Sequence, residues 1–145
     1  MRIVLGFDDS PHAAAALRWI LGHEQPEGTQ VTVVSVVPTP IVAYADVLAP
    51  AVTYPTELLE QLTQHHEDLC KKAEGELRKT GFKATSKVLP GDPRAALVDV
   101  AKQENADLVV LGSHGRTGLP KLVLGSVASH VVSHAPCDVL VVKRT

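Results

Sequence analysis

The sequence predicts an α/β fold, an open five-stranded parallel sheet in the order 3-2-1-4-5 with helices on both faces. Three observations predict it. Val31–Val37 and Leu108–Leu111 are apolar at nearly every position, as strands covered on both faces are. Between such runs lie stretches whose apolar residues recur at helical spacing. Twice a helical stretch opens on a polar cap followed by proline, at Ser10-Pro11 and at Asp92-Pro93.

Taken in order, Ile3–Phe7 is a short β-branched strand that breaks at Asp8-Asp9-Ser10-Pro11. The first helix follows, with Ala14, Leu17, Ile20 and Leu21 on its stripe, and Gly22, Pro26 and Gly28 close it. Val31–Val37 is the second strand. Pro38 to Pro55 then carries four prolines among Ala, Val and two tyrosines, too long and too apolar for an ordinary solvated connection. Glu57–Lys79 is the second helix, with Leu58, Leu62, Leu69, Ala73 and Leu77 on one face and Thr80-Gly81 as its stop. Phe82–Val88 is more polar, as an edge strand would be. A third helix buries Ala96, Leu97, Val100 and Ala101, Leu108–Leu111 is the fourth strand, Val127–His134 the last helix, and Val139–Val142 the closing strand.

Composition narrows the function classes. The 145 residues fit one domain over 1–145, and 45% hydrophobic content is enough to bury a core at that size. Fourteen basic against sixteen acidic side chains leave a formal charge of −2, which lacks the basicity of a nucleic-acid or anionic-membrane surface. Cys70 and Cys137 have no metal-like or disulfide spacing and read as buried small apolar residues in a reducing compartment. With no leader-like start and no apolar run near the ~18 residues of a membrane span, the expected location is cytoplasmic.

One segment is better explained by a ligand than by packing. Gly112-Ser113-His114-Gly115-Arg116-Thr117-Gly118 follows a buried strand, and Gly125-Ser126 opens a helix. No Asp or Glu lies between Asp107 and Asp138, whereas His114, Arg116 and Lys121 do. Such a loop holds phosphate with backbone N–H groups and a helix dipole. It is neither a P-loop nor a G-x-G-x-x-G dinucleotide turn. In the predicted strand order, the winding reverses between strands one and four, where such sheets bind ligands. That placement brings Asp8 beside Gly112.

The spacing Gly112, two residues, Gly115, nine residues, Gly125-Ser126 resembles the universal stress protein family, in its ATP-binding branch. The flanking His134-Ala135-Pro136-Cys137 and Val139–Val142 are also typical, Asp138 is a departure, and the resemblance covers the whole chain. It implies a Rossmann-like fold of the adenine nucleotide alpha hydrolase type and a homodimer through the C-terminal strand. By position, Asp8 would contact the adenosine end of ATP, and Val36 would offer its backbone to adenine. Leu111, Gly112 and Gly115 would line the ribose and α-phosphate, while Gly125, Ser126 and Val127 would hold the outer phosphates. Magnesium or manganese would be held mainly by phosphates and water, so no protein ligand is assigned to it. Arg116 is the preferred side-chain phosphate contact, because its charge is fixed and its donors form a fork.

The implied role is a stress-response switch or adaptor with an unknown downstream protein partner. No catalytic residue is assigned, because no Ser-His-Asp or Cys-His arrangement is legible, so hydrolysis would at best be slow. Two alternatives stay open: a slow ATPase or phosphotransferase, which could act on itself, and a dimer working through protein contacts without nucleotide. His130 and His134 have the i, i+4 spacing of zinc ligands but no third ligand, so no metal site is assigned. His65 and His66 read as surface or boundary residues. Tyr44 and Tyr54 could pack on a base, on a partner or on their own loop.

Overall fold

The structure is a computed structural model that describes residues 1–38, 55–115 and 124–144. Among the described residues nine elements alternate: β1 (Arg2–Gly6), α1 (Pro11–Gly22), β2 (Gln30–Val37), α2 (Thr56–Lys79), β3 (Lys83–Pro90), α3 (Pro93–Gln103), β4 (Leu108–Gly112), α4 (Ser126–His134) and β5 (Asp138–Val142). The sheet order is β3-β2-β1-β4-β5, with every pairing parallel, as the sequence predicts. Both β3 and β5 are edges. Phe7 lies just past β1, and β3 runs on to Pro90, two residues beyond the expected end.

Side chains alternate across the strands and so build two cores. Ile3, Leu5, Val31, Val33 and Val110 face Ala16, Leu17 and Ile20 of α1 and Cys70, Ala73 and Leu77 of α2. Val4, Val34, Val36, Val109 and Leu111 face Leu97, Val100 and Ala101 of α3 and Ala128 and Val131 of α4. Burial on both faces explains why these strands read as continuous apolar runs.

The local signals act as expected at most helix ends. Ser10 Oγ accepts from Ala13 N at 3.1 Å, and the Asp92 carboxylate accepts from Arg94 N at 2.9 Å, each followed by proline in the first turn. After α2, Gly81 adopts φ +94° while Phe82 N donates to Leu77 O and Gly81 N to Arg78 O, the paired bonds of a left-handed helix stop. Cys70 is buried, but Cys137 is only half-buried, so the expectation of two buried thiols holds for one. Its place beside edge strand β5, rather than under a helix, accounts for the difference.

Arg94 hydrogen-bonds the Asp92 carboxylate and holds it below the usual carboxylate range. Removing this cap with Asp92→Ala is expected to cost about 1 kcal/mol at neutral pH. A lowered folded value means that the charge contribution is present above the unfolded value near 4 and is lost as pH falls through the folded one. Urea unfolding at pH 7 and pH 3 checks this, with a smaller difference between wild type and variant expected at pH 3.

Candidate functional site

β1 and β4 pair from Ile3↔Leu108 to Leu5↔Val110, and the chain then leaves them in opposite directions, into α1 and toward α4. At their carboxyl ends lies a cavity of about 300 Å³. Eight predicted positions line it together: Asp8, Val36, Leu111, Gly112, Gly115, Gly125, Ser126 and Val127. The ninth, Arg116, lies outside the described residues, as do Lys121, Tyr44 and Tyr54. The convergence follows from topology, which sets residues 8 and 36 near residues 111–115 and 125–127 at the point where winding reverses.

Each group reaches the cavity for a local reason. The β1–β2 ladder ends at Gly6↔Val34, with Phe7 N donating to Val34 O at 2.8 Å. Backbone groups of alternate residues on a strand face the same neighbour, so the N–H and C=O of Val36 point to the β1 side beyond the ladder's last pair. A donor and an acceptor on one residue complement an adenine edge, which offers a ring nitrogen and an amine.

The Asp8 carboxylate divides its two oxygens. Oδ1 accepts from Ser10 N at 3.0 Å and shapes the entry to α1, whereas Oδ2 faces Gly115, where an added Cβ would come within 3.3 Å of it. The residue therefore serves the helix start as well as the cavity, and Ser10 does not relieve it of that task.

α4 differs from α1 and α3 at its start. Its cap is Gly125, with no side-chain hydrogen bond and no acidic residue in the first turn. The first N–H groups of a helix have no partner inside it, so those of Ser126, Val127 and Ala128, all lining the cavity, are available to an anion. Side chains occupy the same position in α1 and α3.

The loop glycines act through space rather than through unusual dihedrals. Among the described residues the positive-φ glycines are Gly28, Gly81 and Gly91, so Gly112, Gly115 and Gly125 are not at left-handed positions. An added Cβ at Gly112 would lie 2.5 Å from the His12 carbonyl carbon, and one at Gly125 would lie 3.1 Å from Ser113 O. Gly112 is thus also a packing residue, which the spacing argument missed. Beside it, Ser113 Oγ lies 3.2 Å from His12 Nδ1 and 3.2 Å from His114 Nδ1, and His114 is among the residues lining the cavity.

Two histidine expectations resolve differently. His65 is exposed and pairs with Asp9 at 3.5 Å, but His66 is buried and lines the cavity, so the surface reading is wrong for it. The helical period could have found it, since His66 shares the stripe of Cys70, Ala73 and Leu77. His130 and His134 stack with centroids 4.1 Å apart, and His134 Nδ1 bonds His130 O at 2.8 Å. Among the described residues no three His, Cys, Asp or Glu side chains gather as metal ligands would. No described helix is long and apolar enough to cross a membrane.

Comparison with known proteins gives a consistent result. The sequence model of the universal stress protein family matches residues 1–143. The universal stress protein MJ0577 of Methanocaldococcus jannaschii is 35% identical over 91 residues, 63% of this chain and 56% of that protein. The chain thus matches less than two thirds of that relative's length. The solved structure of MJ0577 superimposes with a TM-score of 0.84 at 26% identity, covering 99% of this chain and 96% of the other. The universal stress protein UspA from Lactobacillus plantarum gives 0.80 at 29%, covering 98% and 97%. The Archaeoglobus fulgidus universal stress protein in complex with dAMP shares the fold at 0.66 and 22%, covering 97% and 96%.

Proposed function

The chain belongs to the universal stress protein family, and on that premise we propose that it binds ATP and acts as a homodimeric, nucleotide-dependent switch or adaptor in the cytoplasm. The observation that carries this reading is the convergence of Asp8, Val36, Gly115 and the uncapped start of α4 on one cavity. A family fold that holds dAMP in the Archaeoglobus fulgidus protein supports an adenine nucleotide as the occupant.

In this reading adenine meets the backbone of Val36. Ribose hydroxyls donate to Asp8 Oδ2, and the phosphates run past Leu111, Gly112 and Gly115 to Gly125, Ser126 and Val127. The Val36 backbone and the Asp8 carboxylate serve the adenosine, while the N–H donors at the start of α4 serve the anion. Magnesium or manganese would offset phosphate charge, held mainly by the phosphates themselves, and Arg116 would add a charged fork. The β5 edge pairs with its copy across a two-fold axis, which covers a half-buried apolar strand that otherwise invites aggregation.

Binding sets conformation rather than feeding a reaction, because a ligand that favours one state shifts the population toward it. Calorimetry with Mg-ATP is expected to give one site per chain, and sedimentation equilibrium twice the chain mass. Phosphate release followed over hours should stay below one equivalent per site. Rapid multiple turnover would replace the switch with an enzyme, and absence of binding would leave a dimer working through protein contacts.

A further inference from the structure

Ser113, just past β4, is 4% exposed, and every polar group it owns is engaged. Its N–H donates to the carbonyl of Val142 at 2.9 Å, closing the β4–β5 ladder at the last residue of the edge strand. Its carbonyl accepts from Gly125 N at 2.9 Å, and the Gly125 carbonyl accepts in turn from Ser129 N, so the cap of α4 is tied to this residue. Its hydroxyl lies 3.2 Å from Nδ1 of His12, in the first turn of α1, and 3.2 Å from Nδ1 of His114, in its own loop. The starts of two helices and the end of an edge strand thus meet at one buried serine.

We propose that Ser113 is a positioning residue of the anion site, through which occupancy by phosphate is felt at the β5 edge. This rests on the nucleotide reading and on the pairing of β5 given above, and supplies a link between them. The physical reason starts at α4, whose first turn has no side-chain cap and whose first N–H groups find no partner within the helix. An anion supplies that partner, so the bound state holds the first turn, and Gly125 with it, more firmly than the empty one. Gly125 N–H is bonded to Ser113 and Ser113 N–H to Val142, so a firmer start of α4 fixes the last rung of a five-residue edge strand. The contacts with His12 and His114 keep Ser113 from yielding sideways. The backbone of Val142 turns toward β4, which leaves the groups of Val139 and Val141 on the outer side, where a second copy would pair. A strand already held in place loses less freedom on pairing than one that frays. The coupling is reciprocal, so a paired β5 tightens the phosphate site by the same factor.

Sedimentation equilibrium on the full chain tests the inference, with inorganic tripolyphosphate and Mg-ATP as ligands. Saturating tripolyphosphate is expected to lower the dimer dissociation constant of the wild type about tenfold, and Mg-ATP at least as much. Ser113→Ala keeps both backbone bonds but releases the residue from His12 and His114, and the ratio of the constants without and with the anion should shrink to about twofold. That ratio is the readout, because a merely structural role would weaken pairing and ligand binding alike and leave it unchanged. Should Ser113→Ala fail to fold, His12→Ala removes the same contact from the α1 side and should lower the ratio as well. Amide exchange over 138–142 is the second measure, slowed by tripolyphosphate in the wild type and scarcely in the variant.

A wild type that binds tripolyphosphate and dimerises, yet whose dissociation constant and β5 exchange ignore the anion, would overturn the link while leaving both readings intact. An unchanged ratio in folded Ser113→Ala would take the role away from Ser113. A wild type that binds neither ligand would instead overturn the nucleotide reading. One that binds but stays monomeric would overturn the pairing of β5, and exchange over 138–142 would then decide the link alone.

Discussion

Gly112→Ala is expected to lower the stability of the fold by about 3 kcal/mol, near the upper end for overpacking, and its thermal midpoint by roughly 10 °C. The new Cβ would lie 2.5 Å from the carbonyl carbon of His12, 2.6 Å from its Cβ and 2.7 Å from its carbonyl oxygen. Two of those three atoms are backbone in the first turn of α1, so no side-chain rotation relieves the clash. That turn is itself held by the Ser10 cap, by Pro11 and by the contact of His12 Nδ1 with Ser113 Oγ. Relief therefore requires α1 to lift off β4. Gly115→Ala is the control, since its Cβ would meet only Asp8 Oδ2, at 3.3 Å, and stability should change by less than about 1 kcal/mol. Urea midpoints measure both. A Gly112→Ala protein as stable as wild type would show that the start of α1 does not rest on this glycine.

The sheet was legible because burial on both faces leaves a compositional trace. Strands such as Val31–Val37 lack polar alternation, and Ser10-Pro11 and Asp92-Pro93 mark helix starts by chemistry that acts locally. Strand order was legible through the handedness of crossovers and the polar character of β3. What escaped is what depends on distance in space. Nothing in the spacing of Gly112 says that His12, a hundred residues earlier, packs against its Cα.

For the candidate site the division is similar. Gly115, Gly125 and Ser126 announce themselves by composition, in a stretch without carboxylates. Asp8 is legible through topology, as a residue leaving the strand beside that of Gly112, whereas Val36 is legible only through the family resemblance. His66 was misread because the next-door His65 and the surrounding Gln and Glu suggest a solvated face, whereas helical period alone decides which of two adjacent histidines turns inward. Ser35, whose hydroxyl lies 2.7 Å from His66 Nδ1, sits in an apolar strand and carries no signal of its own.

Gly125→Ala is expected to weaken ATP binding about thirtyfold in a protein that still folds, and Asp8→Ala about tenfold. At Gly125 the added Cβ would approach Ser113 O to 3.1 Å and His114 Cα to 3.2 Å, close enough to require a shift of a few tenths of an ångström. Gly125 N donates to Ser113 O at 2.9 Å, and Gly125 O accepts from Ser129 N at 2.9 Å, so the shift passes directly to the start of α4. The N–H groups of Ser126, Val127 and Ala128 then move against the phosphates they are proposed to hold. Hydrogen bonds to a charged group are each worth roughly 1.5–3 kcal/mol, and misaligning one or two of them accounts for the thirtyfold loss. Asp8→Ala acts at the other end of the ligand, removing the acceptor for ribose, and it also removes the 3.0 Å bond to Ser10 N. The two losses should therefore separate by ligand: tripolyphosphate binding falls with Gly125→Ala and holds with Asp8→Ala. Calorimetry on folded variants that returned wild-type affinity for Gly125→Ala would remove α4 from the phosphate site, whatever the cavity's occupant.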